Sequence, residues 1–326
     1  FKNLKAHLRR KTPCVKEIDE LANSLEKLSI QKYQKPLLKW VGGKTQLLDI
    51  ILPLFPKSIE NYYEPFVGGG SVLFAVLTLV NEGKIKINNT INAYDSNAKL
   101  IEFYTSVQQH PQELYDTIRV LSDTYNSIIT LNGNRKPENK EEAKTSKESY
   151  YYYSRKIFNH ETTSINRAAL FIFLNKTCFR GVYRESPKSG FNVPFGNYSS
   201  TINVVTKEEI MKASNLIKDV IFKTQDFQEL NTKTKQDFVY FDPPYYPLKS
   251  KKSFISYTPT GFNKHQELFD MLSNLEEKEV KFVMSNAYVQ EVKDATKSFN
   301  QKAIDARRAI HCKKPGSTCQ ELLVYN

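Results

Sequence analysis

Asn61-Tyr62-Tyr63-Glu64-Pro65-Phe66-Val67-Gly68-Gly69-Gly70-Ser71, continuing as Val72-Leu73-Phe74-Ala75-Val76-Leu77, decides the fold. An aromatic run leads into three consecutive glycines and then into an apolar segment. That pattern reads as a strand, a tight turn and a buried helix, the opening unit of an α/β sheet. Glycines at a strand-to-helix turn permit positive φ and let a ligand come close to the backbone. The dinucleotide fingerprint Gly-x-Gly-x-x-Gly does not stand here, so the turn suits a nucleoside ligand without a pyrophosphate. The next strand pattern, Thr90-Ile91-Asn92-Ala93-Tyr94-Asp95, ends on an acid. Asp95 either holds both hydroxyls of a ribose or caps the helix that follows.

Further along, Phe238-Val239-Tyr240-Phe241-Asp242-Pro243-Pro244-Tyr245 is a strand too apolar for a surface, ended by an acid, two prolines and an aromatic ring. The Asp242 carboxylate and the Pro243 carbonyl can each accept an N–H from an exocyclic amine on a flat base. Pro243 and Pro244 fix φ and hold those acceptors in place, and Tyr245 offers a face for stacking. Read alone, the run is equally a strand end followed by a turn.

Upstream stands Pro36-Leu37-Leu38-Lys39-Trp40-Val41-Gly42-Gly43-Lys44-Thr45. Gly43-Lys44-Thr45 ends like a phosphate loop, but that motif needs a glycine where Leu38 stands. Nucleotide hydrolysis is therefore not the reading. Trp40, the only Trp of the chain, is either core or a ligand contact.

In this order the three segments resemble the Dam-like family of DNA adenine-N6 methyltransferases, the D12 class or alpha group of type II modification methylases. The likeness runs from about Pro36 to the C-terminus and takes in Asn175–Arg184 and Gly190–Tyr198. It implies an α/β fold: a Rossmann-like, class I S-adenosylmethionine-dependent methyltransferase sheet with an inserted, mainly helical target-recognition domain. Residues 36–105 and 220–326 would form the S-adenosylmethionine-binding catalytic domain, 106–219 the DNA-binding domain, and 1–35 an N-terminal extension. The resemblance places Trp40 and Lys44 at one end of the donor pocket. Glu64, Pro65, Phe66 and the backbone of Gly68, Gly69 and Gly70 would surround methionine and ribose, with Asp95 on the ribose hydroxyls. Asp226 and Phe227 would flank the adenine ring of the donor; as residues they are equally a cap with its hydrophobic neighbour. Asp242, Pro243, Pro244 and Tyr245 would be catalytic, Asp242 also touching the donor. No metal is implied.

For DNA, the basic and aromatic cluster from Lys176 to Tyr198 carries Phe179, Arg180, Tyr183, Arg184, Asn192, Pro194 and Asn197. A bidentate pair from Arg180 or Arg184 to guanine is worth about 1–3 kcal/mol of discrimination; phosphate contact, or an internal pair with Glu185, is the alternative. By resemblance Lys39 reaches DNA too, and Lys249, Lys251 and Lys252 meet phosphates, as do Lys313 and Lys314. GATC-methylating relatives carry Asn where this chain has Arg180, and Thr177–Glu185 is closer to relatives that methylate CATG. The expected partners are double-stranded DNA and a separate cognate restriction endonuclease sharing the site.

Bulk properties agree. Of 326 residues, 47 are Lys or Arg against 35 acids, a net charge of +12, which favours a polyanionic partner through counterion release; a Lys-rich composition alone gives the same sign. The four cysteines lack Cys-x-x-Cys spacing and the five histidines are scattered, so a structural zinc is not expected and free thiols fit a reducing, cytoplasmic setting. Neither a membrane span nor a secretion signal is read. Val15, Ile18, Leu21, Leu25 and Leu28 recur at helical spacing. Leu131–Ser149 reads as a solvated polar loop, and the tyrosine run from Tyr150 opens a helix with rings left for solvent or DNA.

The reaction so implied is methyl transfer to N6 of an adenine flipped out of the duplex. It requires Asp242 to meet the purine beside the bound donor, and fails if that side chain is tied up in an internal ion pair with no cavity opening from it to the glycine turn. Ser285 and Asn286, ending another strand, would brace its loop. RNA methylation and DNA binding by an inactive core are the rival readings.

Overall fold

Strand β1 (Ser58–Glu64) lies at the middle of the molecule, in parallel between β2 (Lys86–Asp95) and β6 (Phe238–Phe241). β5 (Val220–Thr224) adds in parallel outside β2, and β7 (Lys281–Ala287) in parallel outside β6. The sheet is closed by β9 (Thr318–Tyr325), antiparallel to β7, and by β8 (Asn300–Arg307) at the edge. The seven-stranded order is β5-β2-β1-β6-β7-β9-β8, which gives the Rossmann-like methyltransferase sheet expected above. The computed structural model describes residues 33–247, 262–307 and 318–326. Everything that follows lies in the unit Pro36–Asn326. The helix read over residues 15–28 and Lys249, Lys251, Lys252, Lys313 and Lys314 lie outside the described residues.

The chain leaves β1 in one direction toward β2 and reaches β6 on the other side, so the order reverses at β1. In open α/β sheets ligands bind outside the carboxyl ends of the strands at such a reversal. Helix α2 (Ser71–Asn81) follows the glycine turn; every residue from Ser71 to Leu77 is buried, so it is a core helix packed all round. The short α1 (Leu48–Ile51) precedes β1. The amino ends of β1 and β6 are clamped by Asp237, whose buried carboxylate accepts the backbone N–H groups of Asn61, Lys233 and Thr234 and the side chains of Asn61 and Thr234. Helices α9 (His265–Glu277) and α10 (Gln290–Ala295) complete this part of the chain.

β8 was missed by sequence reading. Asn300-Gln301-Lys302 offers no apolar alternation, and an edge strand needs none.

A helical module fills the β2–β5 connection: α3 (Ala98–Gln109), α4 (Pro111–Ser127), the four-residue α5 (Lys140–Ala143), α6 (Lys147–His160), α7 (Ser164–Thr177) and α8 (Lys207–Leu216). A small hairpin, β3 (Glu185–Ser186) with β4 (Gly190–Phe191), follows α7. Helix α7 is its core, buried from Ala168 to Asn175. Two expectations change here. Leu131–Ser149 is not simply a solvated loop: Ser146, Lys147, Glu148 and Ser149 are buried, and Glu148 accepts from Arg135 Nε and the Gly133 N–H. The polar residues are satisfied internally rather than by water. The tyrosine run sits within α6, with Tyr150 and Tyr151 buried and Tyr152 and Tyr153 half-buried.

Candidate active site

The loops after β1, β2 and β6 meet at the carboxyl edge of the sheet. Asp242 leaves β6 there. Lys44 Nζ lies 2.7 Å from Asp242 Oδ1 and 2.7 Å from Oδ2, and also donates to the Gly42 carbonyl at 2.6 Å. Asp242 is thus in an internal ion pair, one half of the condition under which the reading fails, and Lys44, read as a donor contact, stands against the acid. The pair does not exhaust the carboxylate. Lys44 is 2% exposed and Asp242 21%, so the open side of the pair belongs to the acid, and two carboxylate oxygens offer about four acceptor sites. Burial pushes the Asp242 carboxyl up to about 6, with the Lys44 ammonium pulling it down and Glu321 adding a smaller upward push.

Tyr245 stands beside this pair, with its ring centroid 5.0 Å from Lys44 Nζ, at cation–π distance. Its hydroxyl donates to Glu321 Oε2 at 2.7 Å. Asn286 braces the loop as read, its Oδ1 accepting the Tyr246 N–H at 3.0 Å and the Ala287 N–H at 2.8 Å; Ser285 does not reach the loop but meets the hydroxyl of Tyr240 within β6 at 2.9 Å. Glu321 was not anticipated. Its only signal in the sequence is an acid opening the apolar run Leu322-Leu323-Val324.

The glycine turn stands between strand and helix as read, with positive φ at Gly68 and Gly70. A Cβ on Gly69 would fall 2.6 Å from Trp40 Cβ, and one on Gly68 would fall 3.0 Å from Trp40 Nε1. Gly70, at φ +74°, would strike the Tyr104 hydroxyl at 2.8 Å. These glycines make room for Trp40 and Tyr104. Trp40 stacks in turn on Tyr183 and Phe171, at centroid distances of 5.5 and 6.4 Å. It therefore joins the turn to the helical module.

Glu64 ends β1 almost fully buried, reached by the Tyr62 hydroxyl at 2.8 Å. Burial pushes it up to about 8, against the pull of the Tyr62 hydroxyl and the Leu73 N–H. Pro65 is buried beside it. Asp95 does not cap α3; Asn97 does, through the Lys99 and Leu100 N–H groups. Asp95 accepts the Gly68 N–H at 3.1 Å and the Asn97 N–H at 2.9 Å, tying the ends of β1 and β2 together. Burial raises it to about 6. Asp226 takes its alternative reading: it caps the turn Phe227–Glu229 and pairs with Lys264 at 2.9 Å. Phe227 is buried against Phe66 and Phe262, with centroids 5.3 and 5.8 Å apart.

On the module, the residues read as DNA contacts divide into two sets. Tyr183 is buried, stacked among Trp40, Phe171 and Phe191; an aromatic between three rings is not at a surface. Arg184 Nε donates to Asn192 Oδ1 at 2.6 Å and its Nη2 to the Asn192 carbonyl at 3.2 Å, so these two hold the hairpin together. Glu185 pairs with Lys99 at 2.5 Å, not with Arg184. The second set is open. Phe179 is 47% exposed, with the Arg180 guanidinium 5.1 Å from its ring centroid. Lys39, Pro194 and Asn197 are exposed. The Phe179 N–H donates to the Pro194 carbonyl, and Lys39 Nζ lies 5.4 Å from the Tyr198 ring centroid, so these residues form one face. Arg180 and Asn197 hold positive φ, 56° and 57°, a conformation that side chains rarely adopt.

Comparison with known proteins bears on this arrangement. Residues 40–310 match the family described as D12 class N6 adenine-specific DNA methyltransferase. The chain is 35% identical to "Type II methyltransferase M.MjaIII" of Methanocaldococcus jannaschii, over 90% of this chain and 99% of that protein. It is 31% identical to "Type II methyltransferase M1.LlaDCHI" of Lactococcus lactis subsp. cremoris, over 90% and 95%. It is 27% identical to a DNA adenine methylase of Haemophilus influenzae, over 85% and 87%. A solved O-methyltransferase of Thermotoga maritima is similar at 9% identity and TM-score 0.33, covering 87% of this chain and 64% of that one, a likeness that adds nothing to the assignment. With the family match spanning most of the chain and a relative above 30% identity covered almost end to end, the protein belongs to the D12 class of N6 adenine-specific DNA methyltransferases.

Proposed function

We propose that Asp242, Pro243 and Tyr245 carry the methylation of adenine N6, and that the face made by Lys39, Phe179, Arg180, Pro194 and Asn197 reads the duplex. The observation that supports the catalytic assignment is a partly exposed carboxylate at the end of β6, held against a buried ammonium and beside an aromatic ring. The N6 lone pair of adenine is delocalised into the ring. Hydrogen bonds from N6–H to Asp242 and to the Pro243 carbonyl draw that nitrogen toward a tetrahedral, more nucleophilic state, and place it. Lys44 keeps Asp242 ionised, and the ionised form is the one that accepts. Asp242 is also positioned to take the proton the amine loses after methylation. Everting the base costs a few kcal/mol, of which stacking on Tyr245 offsets about 1–3 kcal/mol.

The methyl donor of this reading is S-adenosylmethionine, which supplies an electrophilic carbon on a sulfonium. The side chains at the carboxyl edge fit its chemistry: Asp95 for a diol, Glu64 and the backbone of the glycine turn for the amino-acid end, and Phe66 with Phe227 for a flat purine. Residues 36–105 and 220–326 would then be the catalytic domain and 106–219 the target-recognition domain.

The site read is a short duplex sequence with a guanine for Arg180. The substrate places the enzyme with intracellular DNA. Among the described residues no helix is long and apolar enough to cross a membrane. A restriction endonuclease sharing the site is the partner that a type II modification role implies. The test is methylation of plasmid DNA followed by long-read mapping of modified adenines, run beside a structured RNA with tritiated donor. Modification confined to one short palindrome, CATG being the expectation from the likeness of Thr177–Glu185, supports the reading; incorporation into RNA alone sinks it.

A further inference from the structure

The antiparallel strand β9 brings to the carboxyl edge a group that a parallel strand there would not. A parallel strand meets that edge with its carboxyl end and a loop. β9 runs the other way, so a residue from its amino-terminal half arrives there instead. In the register Asn286 pairs with Leu322 and Ala287 with Glu321, which sets Glu321 one step beyond the asparagine that braces the Asp242–Tyr246 loop. Glu321 is half-buried, and its Oε2 accepts the Tyr245 hydroxyl at 2.7 Å. A hydrogen bond to a carboxylate is stronger than one between neutral groups, and this one ties down the hydroxyl end of the ring. The Lys44 ammonium lies 5.0 Å from the ring centroid. Two charged groups of opposite sign thus hold Tyr245, one at its hydroxyl and one at its ring, and neither needs to touch substrate to do so.

We propose that Glu321 is a positioning residue for methylation: by accepting the Tyr245 hydroxyl it fixes the surface on which the everted adenine stacks. This rests on the assignment of Asp242–Tyr245 as the catalytic loop. Electrostatics agree with closeness of the two acids, since Glu321 pushes Asp242 upward. That push hinders ionisation of Asp242, so charge alone does not account for an acid at this place, whereas an acceptor for Tyr245 does.

The experiment compares Glu321→Ala, Glu321→Gln, Tyr245→Phe and the double variant Glu321→Ala/Tyr245→Phe in the full chain, with melting temperatures recorded. Glu321→Ala is expected to lower kcat roughly 10–100-fold, with KM for S-adenosylmethionine and Kd for duplex DNA within about twofold of wild type. Glu321→Gln keeps an acceptor oxygen and is expected to restore kcat to within about threefold. Tyr245→Phe should match Glu321→Ala, and the double variant should be no worse than either single, the mark of one shared contact. A 2-aminopurine at the target adenine should emit more brightly in Glu321→Ala than in wild type, because its stacking partner is loosened. Wild-type kcat in Glu321→Ala overturns the proposal. So do losses that multiply in the double variant, or a Glu321→Gln as slow as Glu321→Ala. If Glu321→Ala does not fold, Tyr245→Phe and Glu321→Gln decide alone: a slow Tyr245→Phe with a fast Glu321→Gln supports the proposal, and any other pairing overturns it. Asp242→Ala serves as the separate control, measured below its melting temperature. Activity surviving in it removes the catalytic assignment itself, whereas its loss together with a fully active Glu321→Ala removes only the role of Glu321.

Discussion

At the carboxyl edge of the sheet and on the outer face of the helical module, the same kind of motif reading meets different outcomes. At the sheet edge, Asp242, Tyr245, Asp95 and Glu64 gather at the ends of the central strands. On the module, residues a few positions apart in one cluster separate into core and surface: Tyr183 lies between rings, Arg184 and Asn192 hold each other, and Phe179 and Arg180 face outward. The difference teaches where local sequence carries position. A strand that ends at the edge of a parallel sheet has only one place to put its last residue. A turn between helices is placed by packing partners distant in the chain, here Trp40 and the hairpin.

Substitutions can break that contrast. The largest expected effect is at the sheet edge: Asp242→Asn should lower single-turnover methylation by roughly 10²–10³-fold, and should also lower the melting temperature, because buried Lys44 loses its counter-charge. Next comes the module core. Tyr183→Ala should cost about 3–5 kcal/mol of stability in denaturant unfolding, as large-to-small changes among packed rings do; a variant with wild-type stability would put Tyr183 back among the surface contacts. Arg180→Ala should leave stability unchanged and relax base preference at one position by about 1–3 kcal/mol, read from competition between cognate and single-substitution duplexes. The effect spread most thinly, over several pH units, concerns pH. Glu64 titrates near 8 in the fold and near the ordinary carboxylate range when unfolded. The unfolded chain therefore releases this proton first as pH rises. Stability should fall by up to about 1.4 kcal/mol per pH unit between those values and level off above the higher one. Glu64→Gln should remove that component of the slope in unfolding curves taken at pH 5 to 8.

Legibility in the sequence follows the same division. β6 could be bounded closely, because it is a short run of apolar and β-branched residues ended by an acid and two prolines. The bracing role of Asn286 was also readable from its place at a strand end. The glycine turn was readable as a turn but not for its occupant, since what presses on Gly68 and Gly69 comes from a residue far upstream. The same holds for Lys44, whose partner lies 198 positions away. β8 was invisible because an edge strand tolerates polar residues on both faces. Leu131–Ser149 was read correctly over its exposed part and not at its end, where composition does not show that Glu148 and Ser146 are buried and close hydrogen bonds within the segment.

Trp40 sits as a wedge with no slack: two glycines on one side, two aromatic rings on the other. A sideways shift of helix α7 therefore moves the backbone of the turn, and a methyl group added at Gly69 drives the module outward. Helical module and sheet edge share one mortise, so the size of the side chain at position 40 and the emptiness of position 69 must change together if they change at all.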